Sequence, residues 1–193
     1  MNRNNTLVTI GLFIAAFALA LLIMAFVFQQ YEVDGPSMQP TLQNKNRLIV
    51  VKVQRSWARL TGHSWIPARD NIIVFNQANV FANTGNPEKQ LIKRVIGLPG
   101  DTVVIKNGNV TIFNKQNPKG FNPDVNLPYG KVNEPTTSPS GSVDFTVPAN
   151  EVYVMGDNRP DSYDSRYFGP VQVNNIIGKL DVRIYPFNEM NLF

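Results

Sequence analysis

From Leu7 to Phe28 the chain runs for 22 residues with only Thr9 and Gly11 outside the apolar set. At about 1.5 Å of rise per helical residue, that run reaches roughly 33 Å, enough to cross a hydrocarbon core about 30 Å thick. It is predicted to be a transmembrane helix over 7–28, with residues 1–6 on one side and residues 29–193 forming a single domain on the other. A cleaved secretory signal has a shorter apolar core, about 7–15 residues, followed by a small-x-small motif. Here the run passes into Phe26-Val27-Phe28-Gln29-Gln30-Tyr31 without an Ala-x-Ala end, which points to a retained anchor. Charge alone leaves the orientation open, because only the amino terminus and Arg3 precede the span while Lys45 and Arg47 follow it at some distance.

The chain has no Cys, which excludes a disulfide scaffold, a Cys-ligated metal site and a thiol nucleophile. A single His, His63, leaves too few ligands for a zinc hydrolase, so no metal and no cofactor is expected. The net charge of +4 is uneven: residues 29–69 hold Lys45, Arg47, Lys52, Arg55, Arg59 and Arg69 against Glu32 and Asp34. That excess lies close to the span, where each cation near the surface favours anionic headgroups by about 1 kcal/mol. Neither an Arg-rich helix nor an aromatic-basic motif suggests a nucleic-acid partner.

Beyond Gln30 the apolar segments are short, β-branched and bounded by turn residues, which predicts strands at 47–53, 71–75, 90–96, 101–105, 110–113, 142–147, 151–155 and 176–184. The Asn107-Gly108-Asn109 turn makes 101–113 a hairpin. Residues 114–141, with five prolines among Asn, Gly, Ser and Thr, read as a long surface excursion. The expected domain is mainly antiparallel β, a partly closed barrel.

Three segments look unlike packing sequence. In Asp34-Gly35-Pro36-Ser37-Met38-Gln39-Pro40-Thr41 a stiff turn presents the Ser37 hydroxyl, although alone it is also what a plain juxtamembrane turn contains. In Leu91-Ile92-Lys93-Arg94-Val95-Ile96-Gly97-Leu98-Pro99-Gly100-Asp101 a strand carries adjacent cations on opposite faces, one of which must share an apolar surface or snorkel from an edge. Lys can give up its proton there and Arg cannot. Gly156-Asp157-Asn158-Arg159-Pro160-Asp161-Ser162-Tyr163-Asp164-Ser165-Arg166 reads either as a cross-linked loop of carboxylates and guanidinium groups or as a solvated turn. A Ser-His-Asp triad would need His63, which sits in a turn-like loop with no G-x-S-x-G elbow in the chain. A serine nucleophile with a lysine base is the scheme these residues support.

Taken together and in this order, these three segments resemble the conserved boxes of type I signal peptidases, and Arg69-Asp70-Asn71-Ile72-Ile73-Val74-Phe75 is a looser fourth match. Where the family usually has Gly-Asp ahead of that strand, this chain has Asp70-Asn71. The resemblance implies a membrane-anchored serine endopeptidase on the outer face of the bacterial cytoplasmic membrane, amino terminus inside, removing signal peptides from exported preproteins after small-x-small motifs. By position Ser37 would be the nucleophile, Lys93 the general base and Ser162 the residue that orients the lysine. Asp157 would pair with Arg94, and Asp164 with Arg166. Some members place a Ser hydroxyl in the oxyanion hole two residues before the nucleophile; here that position is Gly35, so stabilisation would rest on backbone N–H groups, chiefly that of Ser37. Val33, Met38, Leu42 and Ile92 would line the pocket for the residue before the cut, and Tyr31, Val33 and Ile92 the pocket two residues earlier, core packing being the other reading for Leu42. Trp57 and Trp65 could rest on lipid or pack inside. The competing class is a non-catalytic membrane-anchored assembly or binding module, which should have lost Ser37 or Lys93. A Ser/Lys self-cleaving repressor lacks support, since no DNA-reading helix pair is present.

Overall fold

The computed structural model describes residues 3–78, 88–125 and 141–193. The apolar run forms one helix, α1 (Arg3–Phe26), whose large apolar side chains are exposed, and its Asn5–Met24 stretch has a mean hydropathy of 2.8. A helix that is apolar all round and packs on nothing is suited to lipid. The helix ends two residues before the predicted limit. Phe28 instead opens β1 (Phe28–Glu32), which pairs with β2 (Arg47–Val51), Phe28 opposite Val51. A continuous apolar run does not reveal where helix gives way to strand. The change takes one residue, Val27, whose N–H closes the helix on Ile23 O at 2.8 Å while its carbonyl accepts the Lys52 N–H at 2.8 Å.

A short helix follows, α2 (Val53–Thr61), which the sequence reading missed by extending the preceding strand to Val53. Then come β3 (Ile72–Ala78), β4 (Glu88–Gly97), β5 (Thr102–Lys106), β6 (Asn109–Phe113), β7 (Val143–Thr146) and β8 (Glu151–Met155), each overlapping an expected strand. The single turn α3 (Ser165–Phe168) precedes β9 (Val171–Gln172), the long β10 (Ile176–Tyr185) and β11 (Asn191–Leu192). The β5–β6 hairpin turns on Asn107 and Gly108, both at positive φ, 53° and 79°, as a two-residue hairpin turn requires.

All the pairings are antiparallel. The larger sheet runs β1-β2-β10-β3-β4-β8-β9 with β11 on β10, and β6-β5-β7 form the smaller one. There is no closed barrel: among the described residues no pairing joins β1 to β9. One core cluster, including Ile73, Phe75, Val95 and Val154, packs on β3, β4 and β8. A second, including Ile96, Val103, Ile112 and Tyr153, holds the two sheets together. A third, Val33, Met38, Leu42, Leu48, Ile72 and Leu180, anchors the turn that follows β1. Most of the predicted 114–141 excursion, residues 126–140, lies outside the described residues.

Candidate active site

β4 carries Lys93 and Arg94 side by side, and strand alternation sends them to opposite faces. Both are buried, at 3% exposure each. Arg94 Nε and Nη2 donate to the two carboxylate oxygens of Asp157 at 2.8 and 2.7 Å, a bidentate pair closed off from water. Lys93 faces the turn after β1. Its Nζ lies 2.7 Å from Ser37 Oγ and 3.0 Å from Ile92 O. Burial pulls the Lys93 ammonium down to about 8, against the opposing charge of Asp164. A sizeable fraction is therefore neutral in mildly alkaline solution, and a neutral amine at 2.7 Å can take a proton from the hydroxyl.

The turn holding Ser37 is fixed from both ends. Gly35 sits at φ +103°, a conformation that side chains rarely adopt, and its N–H donates to Asn44 Oδ1 at 3.1 Å. With the Gly35 N–H so engaged, the Ser37 N–H is left with no intramolecular partner among the described residues. On the other side Asn158 reaches in twice: its backbone N–H donates to Ser37 O at 3.1 Å and its side-chain amide to Pro36 O at 3.2 Å. Thr41, at the end of the turn, donates its hydroxyl to Asp157 Oδ2.

The 156–166 loop is cross-linked throughout. Asp164 is fully buried and accepts from Ser162 Oγ at 2.8 Å, Gly156 N at 3.0 Å, and Arg166 Nε and Nη2 at 2.8 Å each. It also caps α3 by accepting the Arg166 N–H. The Ser162 hydroxyl is thus directed to a carboxylate, the stronger acceptor, and among the described residues no hydrogen bond joins it to Lys93. Its proximity to the pair is steric: a Cβ on Gly156 would collide with both Ser162 Oγ and Ser37 O, so Gly156 is what lets the two segments meet.

Beside the pair runs a groove of about 120 Å³, lined among others by Tyr31, Val33, Ser37, Leu48, Ile92 and Lys93. Met38 and Leu42, expected in the pocket wall, are not among its lining residues; both are fully buried in the third core cluster, behind the groove. A larger cavity, about 730 Å³, lies on the Arg94 face and includes neither Ser37 nor Lys93. β4 pairs with β3 over 88–94 but with β8 only from Arg94 onward, so among the described residues no strand pairs with its other edge along the groove, where a new strand could add. His63 is exposed beyond α2 and lines none of this. Among the described residues no group of His, Cys, Asp and Glu could hold a metal ion.

The family model for "Signal peptidase, peptidase S26" matches residues 6–185. The chain belongs to this family. It is 36% identical over 187 residues to signal peptidase I of Bacillus caldolyticus, covering 92% of this chain and 90% of that one. Identity to signal peptidase I S of Bacillus subtilis is also 36%, over 185 residues, covering 92% and 88%. A crystal structure of a signal peptidase I from Enterococcus faecalis matches at TM-score 0.40 and 30% identity, over 61% of this chain and 98% of that one. Membership of the signal peptidase family makes the chain a serine endopeptidase that cleaves signal peptides from preproteins, and α1 fits a membrane anchor.

Within the signal peptidase fold several supports escaped the sequence reading. Arg159, at 1% exposure, donates to Gly156 O at 3.0 Å and pairs with Asp124. Arg69 Nη2 pairs with Asp101 at 2.7 Å. Arg159, Arg69 and Asp101, like Asn158, stand inside the quoted motifs, but their partners lie far apart in sequence, so no spacing exposes the pairings. Asp70, where the family usually has Gly, takes φ +69°, and the turn forms nonetheless, with Asp70 N–H on Val95 O at 2.9 Å and Arg94 Nη1 on Asp70 O at 2.7 Å. Asp is among the few residues that tolerate that region.

Proposed function

We propose that the chain removes signal peptides by a Ser37/Lys93 dyad acting through an acyl-enzyme. The observation that carries this is the buried Lys93 amine 2.7 Å from Ser37 Oγ, with its ammonium pulled down to about 8. Neutral Lys93 takes the hydroxyl proton as Ser37 Oγ adds to the scissile carbonyl, and the Ser37 N–H donates to the developing oxyanion. Collapse breaks the C–N bond, the lysine ammonium returns its proton to the leaving amine, and the signal peptide is left as an ester on Ser37. Lys93 then takes a proton from water, whose oxygen attacks the ester, and the proton returns to Ser37 as the acid leaves.

Substrate would lie extended along the open edge of β4, with small side chains entering the shallow space by Tyr31, Val33 and Ile92. Gly35 permits the close approach of backbone, and the Arg94–Asp157 and Asp164–Arg166 pairs hold the surrounding segments. Residues 1–6 would be cytoplasmic, 7–28 membrane-embedded at least as far as α1 extends, and 29–193 outside. Anionic headgroups would face the basic segment after the span, and no nucleic acid takes part.

The test is cleavage of a preprotein by detergent-solubilised enzyme. Ser37→Ala and Lys93→Ala should each lower the rate by several orders of magnitude, and the double variant little further, because the two groups act as a unit. A bulky residue immediately before the scissile bond should suppress cleavage. Retention of more than about 1% of the rate by either single variant would overturn the dyad.

A further inference from the structure

Beyond Tyr185 the chain doubles back. A single 3-10 turn, Phe187–Glu189, reverses it, and β11 returns along β10 with Asn191 opposite Arg183 and Leu192 opposite Val182. The Phe193 N–H donates to Asp181 O at 2.9 Å, and Phe193 packs against the third core cluster, the one that anchors the Ser37 turn through Met38 and Leu42. Residues 186–193 thus form a strap that ends on the support of that turn.

The turn itself is a loop closed at its neck. The Val33 N–H donates to Asn46 O at 2.9 Å and the Lys45 N–H to Val33 O at 2.8 Å, so the chain leaves the fold and re-enters it at one point. Asn46 is buried, and its Oδ1 accepts the Gln43 N–H at 2.9 Å. Asn158 and Asp157 hold one side of the loop. Elsewhere Pro40 and Thr41 border the cavity of about 730 Å³ on the Arg94 face, and Glu189, Asn191 and Phe193 of the strap form more of its wall. Side chains that face open space lose the contacts that would otherwise fix them, so this part of the loop needs a tie.

Arg183 supplies it. The side chain is 13% exposed and lines the same cavity. On the loop, Nη1 donates to Thr41 O at 2.9 Å and to Asn46 Oδ1 at 3.4 Å. On the strap, Nε donates to Glu189 O at 2.7 Å, and the guanidinium stands over the Phe193 ring, 6.0 Å from its centroid. One planar fork therefore fixes loop and strap together, which the point charge of a lysine could do only in part. Thr41 is held from both directions, its hydroxyl by Asp157 and its carbonyl by Arg183.

We propose that Arg183 is a positioning residue for the cleavage reaction, tying the strap to the loop so that Ser37 Oγ stays within reach of Lys93 Nζ. Arg183 touches neither group and acts through Thr41 and Asn46. This inference rests on the Ser37/Lys93 reading. A displacement of about 1 Å from the reacting geometry can cost about a hundredfold in rate. Substrate binding should be spared, because the groove beside β4 shares no lining residue with the cavity.

The test is cleavage of a preprotein by the detergent-solubilised full chain, with kcat and KM read separately. Ser37→Ala is measured first, and cleavage by that variant would remove the dyad and this proposal together. With the dyad intact, Arg183→Met should lower kcat by between about tenfold and a hundredfold while KM stays within about twofold of wild type. Arg183→Lys, which can still donate to Thr41 O, should recover part of the loss. Phe193→Ala, which leaves Arg183 in place but removes the end of the strap, should lower kcat by a smaller factor. Melting curves give a temperature at which each variant is folded, and the loss of kcat should persist there. Folded Arg183→Met with wild-type kcat, a loss confined to KM, or Arg183→Lys no better than Arg183→Met would overturn the proposal. If Arg183→Met does not fold, wild-type kcat in both Arg183→Lys and Phe193→Ala would overturn it, and a lowered kcat in both at unchanged KM would support it.

Discussion

At the residue scale Lys93 carries opposite demands. Its folded pKa lies near 8 and its unfolded one near 10.5, so between these values the unfolded chain holds a proton that the folded chain does not. Stability therefore rises with pH across that window, and below it the full penalty, roughly 3 kcal/mol, is present. Lys93→Met removes the penalty at similar volume, so the variant should melt higher than wild type at pH 7, with the gap closing above pH 10; equal melting at pH 7 would show that no such cost exists. Under the proposed dyad the same proton would govern rate: wild-type activity should climb with an acid limb near pH 8, whereas Lys93→Arg should be inactive at every pH because guanidinium cannot accept the Ser37 proton. Gly156 is a second point of tension. Gly156→Ala forces a methyl group onto Ser37 O and Ser162 Oγ, and should cut the rate far more than it lowers melting temperature, which differential scanning and single-turnover assays would separate.

At the scale of elements the Arg94–Asp157 pair joins β4, the loop after β8 and, through Thr41, the end of the turn that holds Ser37. Each side chain in it is 4% exposed, so removing one partner strands a buried charge at a cost of about 3–5 kcal/mol. Asp157→Ala should therefore lower denaturant stability by that amount, and Thr41→Val by much less; an Asp157→Ala loss under about 1 kcal/mol would show that water reaches the pair. The strands were legible because β-branched runs between turn residues announce themselves, and so did Asn107-Gly108. α2 was not, because its apolar residues at i, i+4 and i+7 face outward and a nine-residue helix carries little other signal. The proximity of Ser37 and Lys93 was legible only through the resemblance of whole motifs. The commitment of Ser162 to Asp164, and the burial of Met38 and Leu42, depend on how side chains compete for partners and space, which spacing does not record.

At the scale of the molecule, the passage from α1 to β1 through Val27 alone leaves no slack between that helix and the strand that leads to the Ser37 turn. The five residues of β1, at about 3.3 Å each, set roughly 16 Å between the end of the helix and the chain leading to Ser37. With α1 in the bilayer, that strand would act as a ruler standing on the membrane. A preprotein must then lift its scissile bond to the same height, which an extended chain does with about five residues beyond its own apolar helix. Shortening that spacer by three residues should depress cleavage in vesicles while leaving cleavage in detergent largely intact, and equal loss in both would show that height plays no part. Two substrates with the same residues around the cut would then differ in fate by where their apolar stretch stops, and the proposed selection would be made by length as well as by side chain.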